Sequence, residues 1–206
     1  MELHYGNIHV EDNGEGRPGS RFIIRLPLGN GHLKKEEIEE ASQKHVFGTK
    51  MRSVIYEANE EGIRDIVNQQ FEFAKTICDG GLVPIIEPEV DIHSEQKELC
   101  EKILKDEIIR KLKEWNPADK IMFKFTIPTV ANHYLDLYDY DCVVRIVALS
   151  GGYEIDEACE LLAKNNRMIA SFSRALLQDL NAHQTQEEFD TALNNAIVKI
   201  YNASIA

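Results

Sequence analysis

The chain has 206 residues, enough for one ordinary domain or a small domain with an appendage. Lys and Arg number 23 against 35 Asp and Glu, a formal charge of -12, so a nucleic-acid duplex or an anionic membrane surface is repelled on average. Any anionic ligand must be held by a local basic cluster. No apolar run approaches the roughly 18 to 20 residues needed to cross a bilayer, so the expectation is a protein without membrane or nucleic-acid partners. The four cysteines, Cys78, Cys100, Cys142 and Cys159, form no C-x-x-C pair and follow no signal-peptide pattern. That predicts reduced thiols and a cytoplasmic location.

The first 35 residues are rich in glycine and proline. Asn7 to Val10 and Arg21 to Leu26 are short β-rich runs separated by Asn13, Gly14, Gly16 and Gly19, which predicts a hairpin with a long loop, ended by Pro27 and Gly29. Gly14-x-Gly16-x-x-Gly19 fits a dinucleotide-binding pattern in letters only. It precedes a strand instead of opening a helix, and is rejected.

From Phe47 onward strands and helices alternate, the signature of parallel β/α units. The predicted strands are Gly48 to Ile55, Leu82 to Glu87, Lys120 to Ile127, Cys142 to Leu149 and Arg167 to Phe172. Between the first two, Ile63, Ile66, Val67, Ala74 and Ile77 recur at helical spacing, and Gly80-Gly81 supplies a stop. Leu99, Cys100, Ile103, Leu104, Ile108 and Leu112 repeat the pattern after the second strand. The last helix opens on a capping box, Thr185-x-x-Glu188, and continues through Phe189, Leu193, Ile197 and Ile200.

Parallel strands covered on both faces are nearly continuous apolar runs, and several of these strands break that rule. In the run 121 to 126, alternation places Ile121, Phe123 and Phe125 on one face and Met122, Lys124 and Thr126 on the other, so Lys124 points into a sheet or barrel interior. Glu87 and Glu89 share a face at the end of the second strand, and Lys50 and Arg52 share a face of the first. Ser150-Gly151-Gly152 follows the fourth strand, and Ser171, Ser173 and Arg174 follow the fifth. Singly, a strand-end lysine can snorkel and a carboxylate pair can cap a solvated loop. Together they stand at the C-terminal ends of successive parallel strands, where barrel enzymes place their chemistry. The Gly-Gly turn, with Arg174 at the start of the next helix, predicts a phosphate seat.

The runs FGTKMRSVI (47–55), GLVPIIEPEVDI (81–92), MFKFTIP (122–128), VRIVALSGGY (144–153) and IASFSRAL (169–176) resemble, in order, motifs of the short bacterial class I fructose-bisphosphate aldolases. The resemblance covers residues 45 to 206. It implies strands 4 to 8 of a (β/α)8 TIM barrel, and a glycolytic lyase that splits fructose 1,6-bisphosphate into dihydroxyacetone phosphate and glyceraldehyde 3-phosphate. It makes Lys124 the Schiff-base nucleophile and Glu87 the acid/base that dehydrates the carbinolamine. Lys50 and Arg52 become neighbouring cations, and Glu89 a carboxylate orienting Lys50 and Lys124. Ser150, Gly151, Ser173 and Arg174 become the ketose-phosphate contacts. No metal or cofactor is implied, since the iminium serves as the electron sink.

A lysine amine attacks a ketone only when unprotonated, and at an ordinary pKa near 10.4 about one in 2,500 is neutral at pH 7. Burial and a nearby cation such as Lys50 both favour the neutral amine.

Barrel strands one to three, with an aspartate that assists carbon–carbon cleavage, have no counterpart in this pattern. In their place residues 6 to 38 resemble the tail of a hybrid sensor histidine kinase ATP-binding domain, without its nucleotide boxes. The expected organisation is therefore a hairpin segment at 1–36 and a partial barrel at 37–206. Its open edges favour self-association. A catalytically inactive fragment that binds sugar phosphate, and a lyase for another phosphorylated ketose, are the alternatives.

Overall fold

The computed structural model describes residues 7–12, 20–25 and 35–206. The chain forms two compact units, Met1–Val46 and Phe47–Ala206. In the first, strands β1 (Asn7–Asp12) and β2 (Ser20–Arg25) pair antiparallel, Asn7 opposite Arg25 and Asp12 opposite Ser20, and helix α1 spans Lys35–Gln43. The expected loop at 13–19, with the rejected glycine pattern, and Pro27 and Gly29 lie outside the described residues.

The second unit is built on a five-stranded parallel sheet: β3 (Gly48–Ile55), β4 (Val83–Val90), β5 (Ile121–Thr126), β6 (Val143–Leu149) and β7 (Met168–Ala170). The strands lie side by side in chain order, so each β/α unit adds one strand at the same edge. This is an α/β fold, an open portion of a (β/α)8 barrel. Helices α2 (Glu60–Asp79), α3 (Lys97–Leu112), α4 (Ile155–Leu162), α5 (Arg174–Leu177) and α6 (Gln186–Ser204) complete the unit.

The core lies between the helices and one face of the sheet. Ile121, Phe123 and Phe125 of β5 are fully buried there, and Phe125 stacks on Tyr134 with ring centroids 4.0 Å apart. Truncating such a phenyl ring costs about 3–5 kcal/mol. From α2, Ile63, Val67, Phe71, Ala74 and Ile77 face this layer at helical spacing. Asn59 caps α2 by accepting from Gly62 N at 2.8 Å, and Gly81, at φ +82°, turns the chain into β4. The capping box of α6 is formed in both directions, Glu188 N donating to Thr185 Oγ1 and Thr185 N to Glu188 Oε2.

Three expectations are corrected. Arg167 precedes β7 in a left-handed conformation (φ +64°), so the strand starts only at Met168, and it ends at Ala170. Leu99 is 47 % exposed, since α3 turns Cys100, Leu104 and Ile108 inward instead. Ile197 is 49 % exposed, because α6 is seated through the smaller Ala196 and Ala203.

Candidate active site

Strand alternation sends every second side chain to the sheet face away from the helices. On β4, Pro84, Ile86, Pro88 and Val90 enter the core, which leaves Glu87 and Glu89 on the opposite face beside Lys124 of β5 and Lys50 and Arg52 of β3. Parallel register aligns Arg52 with Glu87, and Ile85 with Met122, so Glu87 is level with Lys124. Sheet twist then makes the β3–β4 ion pairs diagonal, each cation reaching the carboxylate two residues beyond its register partner.

Glu87 is shared between two lysines. Lys50 Nζ donates to its Oε2, and Lys124 Nζ stands 3.4 Å from its Oε1. Only 4 % of the Glu87 side chain and 15 % of the Lys124 side chain are exposed, against 42 % for Lys50. Glu89 does not orient the lysines as expected: its Oε2 accepts from Arg52 Nε at 2.6 Å. That hydrogen bond raises the Arg52 guanidinium above its ordinary pKa.

The other end of the site is a turn and a loop. Gly151 and Gly152 adopt φ +65° and +123°, and a Cβ on Gly151 would stand 2.6 Å from Ile92 Cγ2, so the turn requires glycine for both conformation and space. The turn is closed by Tyr153 N donating to Ser150 O at 2.9 Å. Opposite lie Ser171, Ser173 and Arg174. Helix α5 is a single turn of four residues, so the expected helix-dipole contribution is small and the Arg174 guanidinium is the main positive charge there.

The nine residues given roles by the resemblance (Lys50, Arg52, Glu87, Glu89, Lys124, Ser150, Gly151, Ser173 and Arg174) line one cleft of about 540 Å³, with Leu149 and Ser171. A larger depression of about 720 Å³ lies at α3 and residues 130–139, where Lys105 is already paired with Asp136 at 3.0 Å and Arg167 covers the Tyr138 ring at 3.9 Å. It brings together none of the strand-borne charges.

Supporting residues went unread. Gln70, a polar residue on the buried face of α2, donates to Ser53 Oγ at 2.9 Å and to Glu87 O at 3.4 Å, tying β3 and β4 from behind. Its interruption of an apolar helical stripe was the available signal. Buried Lys97 pairs with Glu101 and donates to Ile127 O at 2.9 Å and Thr129 Oγ1 at 3.0 Å, while Glu101 Oε2 accepts from Thr129 N at 3.0 Å. The clamp holds the exit of the Lys124 strand. Thr126 Oγ1 donates to Val90 O at 2.6 Å, fixing β5 against β4 at the same height.

No family model matches the chain. Among solved structures it is similar to a fructose-bisphosphate aldolase from Plasmodium falciparum, determined in ternary complex with TRAP and a small-molecule inhibitor. The TM-score is 0.66 at 19% sequence identity, and the match covers 97% of this chain and 67% of that one. At this identity the likeness shows the fold, that of an aldolase. No helix among the described residues is long and apolar enough to cross a membrane.

Proposed function

We propose that the cleft is the site of a Schiff-base (class I) fructose-bisphosphate aldolase, a carbon–carbon lyase whose nucleophile is Lys124. The carrying observation is the shared carboxylate. Glu87 holds the amines of both Lys50 and Lys124, in a cleft whose far end offers Ser150, Gly151, Ser173 and Arg174 to a phosphate.

The chemistry follows from that arrangement. The neutral Lys124 amine adds to the ketone carbon, and the carbonyl oxygen takes up a proton to give a carbinolamine. Glu87, in its acid form, protonates the departing hydroxyl, so water leaves and an iminium forms. The C3–C4 bond then breaks, its electron pair moving toward the iminium nitrogen to give an enamine. Glu87, left as a carboxylate by the dehydration step, takes the C4 hydroxyl proton as the aldehyde departs and returns a proton to C3. Reprotonation at C3 and hydrolysis release dihydroxyacetone phosphate. Lys50 stabilises the Glu87 carboxylate between proton transfers.

Borohydride added in the presence of dihydroxyacetone phosphate should reduce the iminium to a stable secondary amine on the Lys124 peptide, read by mass spectrometry. Equal adduct in Lys124→Ala would overturn the assignment.

A second reading has one observation in its favour: β3 has no strand partner on its outer edge among the described residues, and the side chains of Lys50 and Arg52 are 42 % and 50 % exposed. Such an open cleft binds and condenses with a ketose phosphate without cleaving it. A coupled assay for released glyceraldehyde 3-phosphate, run beside the trapping experiment, separates the two.

A further inference from the structure

We propose, resting on the Schiff-base reading above, that Thr126 and the buried Lys97–Glu101 pair are positioning residues. They set the separation between Lys124 and Glu87 at a point where the sheet itself does not.

The ladder between β4 and β5 is in register at Ile85–Met122 and Ile86–Phe123, and no further among the described residues. Its neighbours run longer: β3 and β4 pair from Gly48–Val83 to Ile55–Val90, and β5 and β6 from Ile121–Val143 to Thr126–Leu149. Glu87 and Lys124 therefore stand one step past the last β4–β5 pair. Their separation depends on contacts other than that ladder, and an error of about 1 Å in placing a reacting group can cost about 100-fold in rate.

Two links supply those contacts. Thr126 Oγ1 donates to Val90 O at 2.6 Å, a direct tie from β5 to β4 on the C-terminal side of both reacting residues. The second runs through α3, the helix that follows β4. All three ammonium protons of Lys97 are engaged, by Glu101, by Ile127 O at 2.9 Å and by Thr129 Oγ1 at 3.0 Å, and Glu101 Oε2 accepts from Thr129 N. The two side chains are 9 % and 1 % exposed. A buried ion pair is a weak source of stability, since apolar side chains of similar volume often serve as well. What this pair adds is a fixed path for residues 127–129, directly after the strand that bears Lys124.

The test is quenched-flow borohydride trapping with dihydroxyacetone phosphate, which gives a saturating rate and a half-saturating concentration, beside urea denaturation of the same preparations. Thr126→Val keeps the shape and removes the hydroxyl. Its rate is expected to fall about tenfold or more, with the half-saturating concentration within about threefold of the parent, because the phosphate contacts on the far side of the cleft are untouched. Thr126→Ser is expected to recover the parent rate within about threefold. Lys97→Met is expected to lose about 100-fold, while Lys102→Met, which breaks the exposed Lys102–Asp106 pair on the same helix, leaves the rate unchanged. Because Lys97→Met strands a buried carboxylate and can unfold the chain, the Thr126 variants decide if it does. A folded Thr126→Val protein with the parent rate overturns the proposal, as does equal slowing in Thr126→Ser or in Lys102→Met. A raised half-saturating concentration at an unchanged rate also overturns it. A parent chain that forms no adduct removes the Schiff-base reading and this proposal together, an outcome distinct from a parent that forms adduct and variants that match it.

Discussion

Replacing Glu87 by Gln tests whether its carboxylate is chemical or only structural. The substitution keeps the shape of the side chain and removes the charge that two lysines share. At the 3.4 Å separating Lys124 Nζ from Glu87 Oε1, the gross attraction is about 5 kcal/mol in an effective dielectric of about 20. Desolvation of the buried carboxylate opposes much of that. Lys50, 42 % exposed, can rehydrate when its partner is lost, so the net cost in stability is about 1–3 kcal/mol, below the roughly 3–5 kcal/mol of a wholly buried pair. The loss in rate should be larger. Removing a positioned acid/base slows its step about 100- to 10,000-fold, equivalent to about 2.7–5.5 kcal/mol of barrier. The assay is quenched-flow borohydride trapping of the dihydroxyacetone phosphate adduct, beside urea denaturation of the same preparation. A folded Glu87→Gln protein that forms adduct within about threefold of the parent rate would refute the acid/base role, because the expected loss is at least about 100-fold.

Gly151→Ala should destabilise the fold by about 1–3 kcal/mol, from the left-handed backbone and the 2.6 Å approach to Ile92; an unchanged denaturation midpoint contradicts this. Burial pushes the Cys78 thiol up from 9.0 to about 11, so iodoacetamide should modify it slowly at pH 8 and faster toward pH 11, and the rate of an ordinary thiol at pH 8 would count against its burial. Because that raised pKa favours the protonated thiol in the folded state, its contribution to stability is complete below pH 9 and is lost between 9 and about 11. Ile197, Val198 and Tyr201 are 49 %, 49 % and 61 % exposed on α6, and β3 has a free edge among the described residues, so light scattering should show dimers or larger species. A monodisperse monomer at high concentration would contradict that.

The charged face of the sheet was legible because it violates an expectation: a buried parallel strand has little reason to carry Lys124 or the Glu87–Glu89 pair unless their face opens on a site. Period-two alternation then assigned each side chain correctly, and β5 and β6 begin and end within a residue of the pattern. The choice of partner was not legible. Whether Arg52 or a lysine takes Glu89 depends on register and twist between neighbouring strands, which no single strand encodes. Helix α4 places Ile155, Ala158, Cys159 and Leu162 inward at helical spacing, but over eight residues the repeat is too short to stand out. Arg167 adopts its left-handed turn against the usual preference of a long side chain, held by Tyr138, whose hydroxyl donates to Arg167 O at 2.9 Å and whose ring lies under the guanidinium.

The diagonal pairs between β3 and β4 also bear on motion. Among the described residues β3 is an edge strand, which keeps half of its backbone groups open to exchange, and it is fastened on its exposed face by Lys50–Glu87 and Arg52–Glu89, whose cations are 42 % and 50 % exposed. Charges so placed weaken as the Debye length falls from about 8 Å at 0.15 M salt to about 3 Å at 1 M. Ionic strength therefore acts as a control on local opening: amide exchange in Gly48–Ile55 should quicken with salt while Ile121–Thr126, buried between neighbours, keeps its protection. The rim of the cleft would then breathe at a rate set by the buffer, and its floor would not.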